Sequence, residues 1–386
     1  MALDTATLDQ LADGVRRFVR QRLVPLEGDV ARSDRMPADV IKEMRELGLF
    51  GLTVPEAYGG LGLTVEEEVR IVFELGWTSP AFRSVIGTNN GIGSQGLVMD
   101  GTEAQKQRYL PGLASGAIIG SFALTEPEAG SDAGALVTSA VRDGDQWTLN
   151  GTKRYITNAP QAGLFTVFAR TDPTRAGARG VSAFLVEANA PGLSIGLPNK
   201  KMGQQGAQVA DVILTDCRVP ADALLGGDAN LNKGFATAMK TLDRGRIHIS
   251  ALSVGCAERL IHDTLRYAIE RKQFGQSIAD FQLVQAMLAD SRTEAYAARC
   301  MVLDTARRRD LAENVNTLAS CCKLFATEMV GRVADRAVQI HGGAGYMEEY
   351  GIERFYRDVR LFRIYEGTSQ IQQTVIARNM IRDAAP

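Results

Sequence analysis

Histidine is almost missing from this chain. Its 386 residues include only His248, His262 and His341. None of these lies three to five residues from another, so a histidine-based metal centre is not expected. Cysteine is scarce as well. Cys217, Cys256, Cys300, Cys321 and Cys322 are odd in number and lack the paired CxxC spacing of a structural zinc site or redox motif. They read as buried, reduced thiols in a reducing compartment. An excess of one charge is also absent: 43 Lys plus Arg stand against 45 Asp plus Glu, a formal charge of −2. That leaves no electrostatic footprint for nucleic acid or an anionic membrane. The N-terminus has neither a basic segment followed by an apolar run nor an Arg/Ser-rich transit character. No stretch approaches the roughly twenty uninterrupted apolar residues of a membrane span. The expectation is a soluble, cytoplasmic protein whose partners are small molecules or other proteins.

At this length one hydrophobic core rarely keeps growing, so two or three packed regions are expected. Residues 8 to 118 carry a helical period, with Leu8, Leu11, Val15 and Phe18 on one face and the pattern repeating over Val40 to Leu47. Near residue 119 the pattern changes to short β-type runs: Ile118 to Leu124, Gln146 to Leu149, Arg154 to Ile156, Leu164 to Ala169, Val181 to Val186 and Val209 to Leu214. Asn150-Gly151, between the second and third, is a hairpin signal. From about Asn232 the helical spacing returns. Ile249, Leu252, Cys256, Leu260, Leu265 and Ala268 make one apolar stripe, and further helices run almost to Arg382. Helices, then strands, then helices is not the alternation of a doubly wound sheet. The expected class is α+β: an all-α domain at 1–118, a β domain at 119–230 and an α-helical domain at 231–386.

Gly91-Ile-Gly-Ser-Gln-Gly96 satisfies GxGxxG. Asn89 and Asn90 precede it instead of an apolar strand, so the strand, turn and helix of a dinucleotide site are not there. These glycines read as close helix packing near a pocket. Three other stretches carry more chemistry. Ala123-Leu-Thr-Glu-Pro-Glu-Ala-Gly-Ser-Asp132 leaves a strand for a loop rich in hydroxyl, glycine and carboxylate groups. Gln339-Ile-His-Gly-Gly-Ala-Gly-Tyr346 ends a helix in three glycines, which let backbone approach a ligand closely. In Arg363-Ile-Tyr-Glu-Gly-Thr-Ser-Gln370 a lone carboxylate, Glu366, follows Leu361, Phe362, Ile364 and Tyr365. Apolar company raises an acid's pKa by desolvation, which suits a proton-transfer group.

In this order and spacing, with Arg271-Lys-Gln-Phe-Gly275 and with Glu349, Arg354 and Asp358, these stretches resemble the acyl-CoA dehydrogenase family along essentially the whole chain. The resemblance implies an N-terminal helical domain, a middle β-barrel or sandwich and a C-terminal four-helix bundle. It implies α,β-dehydrogenation of an acyl-CoA with FAD as cofactor and Glu366 as the base for the α-proton. Some members carry the base at the position of Gly245, a route closed here. For FAD the matching positions are Phe122, Leu124, Thr125, Ser131, Tyr155, Ile156 and Thr157 around the isoalloxazine. Arg271, Phe274, Gln282, Gln339 and Gly343 match the pyrophosphate and adenine contacts, partly from a neighbouring subunit, and Thr368 and Gln370 follow the base. A homo-oligomer, usually a tetramer, is implied, with electron-transferring flavoprotein as electron acceptor.

For substrate, Ser131, Asp243 and Arg246 match positions near the acyl-CoA, and Ser84 and Thr88 are candidates for the acyl pocket. Arg83 stands where members acting on acyl groups with a distal acid, such as glutaryl-CoA, often carry an arginine. At Lys201 to Ala210 the chain departs from the family pattern: Gln205, Ala207 and Val209 replace an Arg and a Ser-x-Thr pair, which puts polar contacts of that loop in question. The competing readings are an oxidase or monooxygenase on the same scaffold and a non-catalytic binder of CoA esters or flavin.

Overall fold

The computed structural model describes residues 3–384. Helical spacing near the N-terminus produces α1 (Thr5–Phe18), which buries Leu8 and Val15 and opens on Asp4, whose carboxylate accepts from the Thr7 amide at 2.9 Å. There follow α2 (Glu27–Ser33), α3 (Ala38–Glu46), α4 (Val65–Leu75), α5 (Pro80–Thr88), α6 (Gln95–Asp100) and α7 (Glu103–Ser115). α4 and α7 start with reciprocal caps, Thr64 with Glu67 and Thr102 with Gln105, which satisfy amides that have no partner inside the helix. The GxGxxG stretch begins in a π-turn, Asn89–Gly93, between α5 and α6, and no strand precedes it. A Cβ on Gly93 would lie 2.8 Å from the Thr88 carbonyl oxygen and 3.0 Å from the Gly120 carbonyl carbon. Gly93 and Gly96, the latter 3.3 Å from Thr237 Cγ2 by the same measure, therefore serve close packing, whereas a Cβ on Gly91 would meet nothing within 4 Å.

That layer is one curled sheet of β1 (Gly120–Ala123), β2 (Ser139–Asp143), β3 (Gln146–Thr157), β4 (Leu164–Arg170), β5 (Val181–Glu187), β6 (Leu193–Ile195) and β7 (Val209–Pro220). The order is β1-β4-β2-β3-β7-β6, with β5 paired to β4. β4 is buried on both faces: Phe165 and Val167 join the sheet's own core, while Leu164 and Phe168 pack towards α7 and the start of the long helix α8 (Gly234–Glu270). The Asn150-Gly151 hairpin does not exist. Residues 146–157 are one strand that pairs with β7, and Asn150-Gly151 is a register shift within it. Gly151 is needed there because a Cβ would stand 2.4 Å from Thr138 Oγ1. The tight turn is at Gly144-Asp145, where Asp143 pairs with Gln146 and Gly144 has φ +60°. β2 and β6, short and half-polar, carry too little apolar alternation to stand out in the sequence.

After β7 the chain returns to helices: α8, a small hairpin of β8 (Lys272–Gln273) and β9 (Gln276–Ser277), then α9 (Gln282–Asp310), α10 (Asn316–His341), α11 (Ile352–Val359) and α12 (Ser369–Ala384). α8, α9 and α10 pack on one another, with α12 against α10, and α4 adds Val65, Val69, Val72 and Phe73 to their core. The apolar stripe of α8 holds through Ile249, Leu252, Cys256, Leu260 and Ala268, but Leu265 is exposed: the buried face there runs through Thr264 and Ala268, and Leu265 with Ile269 lies on the outer face. The cysteines are unpaired and only partly as expected: Cys217, Cys256 and Cys322 are buried, Cys321 is half-buried and Cys300 lies on the outer face of α9. No described helix is long and apolar enough to cross a membrane.

Candidate active site

Glu366 sits between the 3-10 turn Arg360–Arg363 and α12, in left-handed backbone with φ +53°, followed by Gly367 at φ +89°. A non-glycine residue held there carries backbone strain of about 1–3 kcal/mol, which the surroundings must compensate. They do so from beneath. Lys323 of α10, fully buried, donates from Nζ to the Gly367 carbonyl at 2.7 Å, and Gln372 donates to the Glu366 and Gly367 carbonyls at 3.2 and 3.1 Å. The Glu366 side chain points at α8: a Cβ built on Gly245 would stand 2.1 Å from Glu366 Oε2. Gly245 thus makes room for the carboxylate.

The carboxylate is poised rather than paired. Among the described residues Oε2 is out of water and has no hydrogen-bond partner, and the same holds for the Tyr365 hydroxyl and Arg246 Nε. Burial raises the Glu366 pKa above the ordinary carboxylate value, and the charges of Arg83, Lys323 and Arg246 pull the other way. Burial likewise drops the Lys323 ammonium to about 8, opposed by the Glu366 charge.

Arg83, on α5, is a buried guanidinium and not an exposed helix arginine, being 5% exposed. Its Nε donates to His248 Nε2 at 2.6 Å, and His248 Nδ1 meets Glu68 Oε1 at 2.7 Å. Glu68 Oε2 in turn accepts from Arg244 Nη2 at 2.7 Å. No carboxylate oxygen lies within 4.0 Å of an Arg83 nitrogen among the described residues. Arg246, by contrast, is matched by Asp243 at 2.6 Å. Ser84 and Thr88, on the same helix, are both buried.

The loop at Lys201 to Ala210 is polar in its contacts despite its departures. Gln204, at φ +53°, donates its amide to Asp358 Oδ1 and its Nε2 to the Asp358 carbonyl at 3.1 Å. Gln205 Nε2 reaches the Lys201 carbonyl at 3.2 Å, and the Gly206 amide reaches Asp34 at 2.6 Å. Asp358 also accepts from Ser79 Oγ at 2.9 Å, and burial raises its pKa to about 6.

The flavin candidates fall into two groups. Phe122, Leu124 and Thr125 meet Tyr155, Ile156 and Thr157, since the Arg154 amide donates to the Thr125 carbonyl at 2.8 Å and Ser121 Oγ to the Thr157 carbonyl at 2.6 Å. Beneath them the buried pair Lys153–Glu126, at 2.7 Å, ties the loop to β3. Tyr155 stands out at φ +59° and 64% exposed, and Ser131 is exposed farther along the loop. Asn158 Nδ2 joins the end of this strand to the Val85 carbonyl of α5 at 3.1 Å. The second group lies where α8 turns into α9. Arg271 follows α8, Phe274 tips the β8–β9 hairpin at φ +52°, and Gln282 starts α9. Tyr267 brings the end of α10 to them by stacking on His341 at 4.2 Å, so Gln339 and Gly343 are neighbours of this corner. Of these five, Arg271, Phe274, Gln282 and Gly343 are exposed and Gln339 is exposed on the last turn of α10. Thr368 caps α12 by accepting from the Ile371 amide at 3.2 Å, and Gln370 faces solvent.

Lys323, Glu68 and the placement of His248 belong to no motif in the sequence. A signal exists for each. Lys323 falls on the buried spacing of Ala319, Ala326 and Val330, Glu68 lies between Val65 and Val69, and His248 between Ile247 and Ile249. Charged or polar residues at core positions are rarely idle.

Models of the N-terminal, middle and C-terminal domains of acyl-CoA dehydrogenases match residues 5–117, 121–217 and 232–381. The chain is 44% identical over 368 residues to the probable acyl-CoA dehydrogenase YngJ of Bacillus subtilis, covering 95% of this chain and 96% of that one. It is 41% identical over 380 residues to the acryloyl-CoA reductase (NADH) of Anaerotignum propionicum, covering 98% and 95%. The structure of a glutaryl-coenzyme A dehydrogenase in complex with glutaryl-CoA superposes with a TM-score of 0.92 at 32% identity, covering 99% of this chain and 96% of that one. The chain therefore belongs to the acyl-CoA dehydrogenase family, FAD-dependent oxidoreductases acting on CH–CH bonds.

Proposed function

We propose that the protein dehydrogenates the Cα–Cβ bond of an acyl-CoA thioester to the trans-2-enoyl-CoA, with Glu366 as the base for the α-proton. The observation that carries this is the state of its carboxylate: Oε2 is dry and without a partner, and the pKa is raised by burial. A base in that state gains by accepting a proton. FAD, when bound, supplies the acceptor for the β-hydrogen, which leaves as hydride. The chain fits such a ring. Gly91 is buried in the turn that packs on β1, yet a Cβ there would meet nothing within 4 Å, which marks open space beside the strand that carries Phe122. We assign Phe122, Leu124, Thr125, Ser131, Tyr155, Ile156 and Thr157 to the isoalloxazine, with Thr368 and Gln370 near it.

Arg271, Phe274, Gln282, Gln339 and Gly343 are assigned to the pyrophosphate and adenine. Their corner carries Phe274 at 94%, Leu283 at 81% and Tyr346 at 78% exposure, an apolar surface suited to cover by a second subunit. A homodimer, assembled further into a tetramer, is the reading this supports. Asp243 and Arg246 are assigned to the CoA-linked end of the substrate. The electron acceptor is taken to be electron-transferring flavoprotein and the setting cytoplasmic fatty-acid metabolism. We take the domains as 1–118, 119–230 and 231–386, a division supported by the change from helices to strands after α7 and back to helices at α8.

The substrate class is read from Arg83. A buried guanidinium without a carboxylate partner is costly unless an anion arrives. An acyl group ending in a second carboxylate, as in glutaryl-CoA, would provide one, and a plain alkyl chain would not. The test is an anaerobic titration of the holoenzyme with straight, branched and ω-carboxyl acyl-CoAs alongside Glu366→Gln. Bleaching of the flavin by one class, with the variant binding but not bleaching, supports the mechanism and names the class. A variant that bleaches as fast as the parent refutes Glu366 as the base.

A further inference from the structure

Arg83 is held by three residues, none of which hydrogen-bonds to Glu366 or to a proposed flavin contact among the described residues. The first is His248, which takes the Arg83 Nε–H at 2.6 Å. Because its Nε2 is then an acceptor, a neutral ring must carry its proton on Nδ1 and donate it to Glu68 Oε1 at 2.7 Å. Burial drives the imidazole pKa down to about 4, and the Arg83 charge drives the same way, so the ring is neutral at physiological pH. The second is Glu68, 1% exposed, which orients the ring as carboxylates orient metal-bound histidines. The third is Gly87, one turn along α5. A Cβ at that position would stand 2.1 Å from Arg83 Nε, 2.4 Å from Cζ and 2.8 Å from Cδ, so the side chain lies back across the glycine.

This arrangement has a chemical consequence. A guanidinium can grip a carboxylate through Nε and one terminal nitrogen or through its two terminal nitrogens. With Nε committed to His248, only the end-on fork is left. Neither terminal nitrogen has a hydrogen-bond partner among the described residues. The bond to His248 fixes the Nε edge of the fork, and the rest of the side chain lies in the space that the missing Cβ of Gly87 leaves.

We propose that Gly87, His248 and Glu68 are positioning residues that present the two terminal nitrogens of Arg83 to the distal carboxylate of the acyl group, and so set the preference for ω-carboxyl over alkyl acyl-CoA. This rests on Arg83 as the reader of that carboxylate. α4, α5 and α8 each contribute one part or more, so the fork is fixed by helix packing and not by a loop.

Gly87→Ala is the sharpest test. The clash is with a flexible side chain, the residue is inside a helix, and alanine is the better helix former there. The fold is therefore retained while the guanidinium is displaced. The measurement is kcat/KM of the holoenzyme for glutaryl-CoA and hexanoyl-CoA, with a thermal melt, for the parent, Gly87→Ala, His248→Leu, His248→Gln and Arg83→Ala. Gly87→Ala and His248→Leu should lower the glutaryl-to-hexanoyl ratio by roughly tenfold or more, chiefly through the KM for glutaryl-CoA. Gly87→Ala should melt no lower than the parent. His248→Gln, whose amide oxygen can accept from Arg83 Nε, should recover part of the ratio. If Arg83→Ala lowers the ratio but Gly87→Ala and His248→Leu leave it where it was, the positioning role is wrong and Arg83 still reads the acid. If Arg83→Ala itself leaves the ratio unchanged, the carboxylate reading falls and the positioning role falls with it.

Discussion

The surroundings of Glu366 and the corner around Arg271 use similar residue types to opposite ends. Around Glu366 the charges are buried and each is anchored: Lys323 to the Gly367 carbonyl, Arg83 through Nε to His248, Arg246 to Asp243. Around Arg271 the residues are exposed, and Phe274 has almost its whole surface in water. Among the described residues, the first region is complete within one chain except for the partners of Oε2, the Tyr365 hydroxyl, Arg246 Nε and the two terminal nitrogens of Arg83, which a bound substrate can supply. The second is a surface that awaits cover. A buried charge must be matched by its own fold, because desolvation makes an unmatched one costly, whereas an exposed one can be left to a partner.

The largest effect expected from breaking the first region alone is Glu366→Gln. Loss of the proposed general base should lower the rate of flavin reduction by about 10²–10⁴-fold, read by stopped-flow absorbance, with FAD content unchanged. The converse experiment breaks the corner. Phe274→Asp or Arg271→Glu should reduce bound FAD and shift the protein to smaller assemblies by analytical ultracentrifugation. Retention of both FAD and assembly would remove the contrast between the two regions.

A finer test separates support of the base from the base itself. Lys323→Met removes a positive charge that holds the Glu366 pKa down, so the acid limb of the kcat/KM profile should move to higher pH, with kcat reduced by about tenfold. An acid limb that stays in place would show that Lys323 serves the backbone alone.

The smallest effect is on stability. The folded pKa of Glu366 is raised, so its contribution is favourable below the unfolded carboxyl value near 4.5 and is lost as pH rises through the folded value. Glu366→Gln should therefore raise the melting temperature by about 1–3 °C at pH 8 and leave it unchanged near pH 4.

Much of the site and the layering was legible in residues adjacent in the chain. A carboxylate set against Phe362, Ile364 and Tyr365 is marked as a desolvated acid by its neighbours alone. The switch from helical to alternating spacing near residue 119 marks the change of layer. Asn150-Gly151 misled because the same dipeptide suits a turn and a bulge, and pairing with β7 decides between them. Leu265 misled because an apolar side chain one position round from Thr264 and Ala268 falls on the outer face of the helix, and spacing alone assigned it to the stripe.

Local spacing determined the class, the helix–strand–helix order and the acid at Glu366, since each rests on neighbours within a turn or a strand. Tertiary structure alone decided that Arg83 meets His248 across 165 positions, that Glu68 lies 180 positions from that imidazole, and that Lys323 sits under Gly367. Periodicity states which side chains face inward. Which of them meet depends on how whole helices pack, and no short window of sequence contains that.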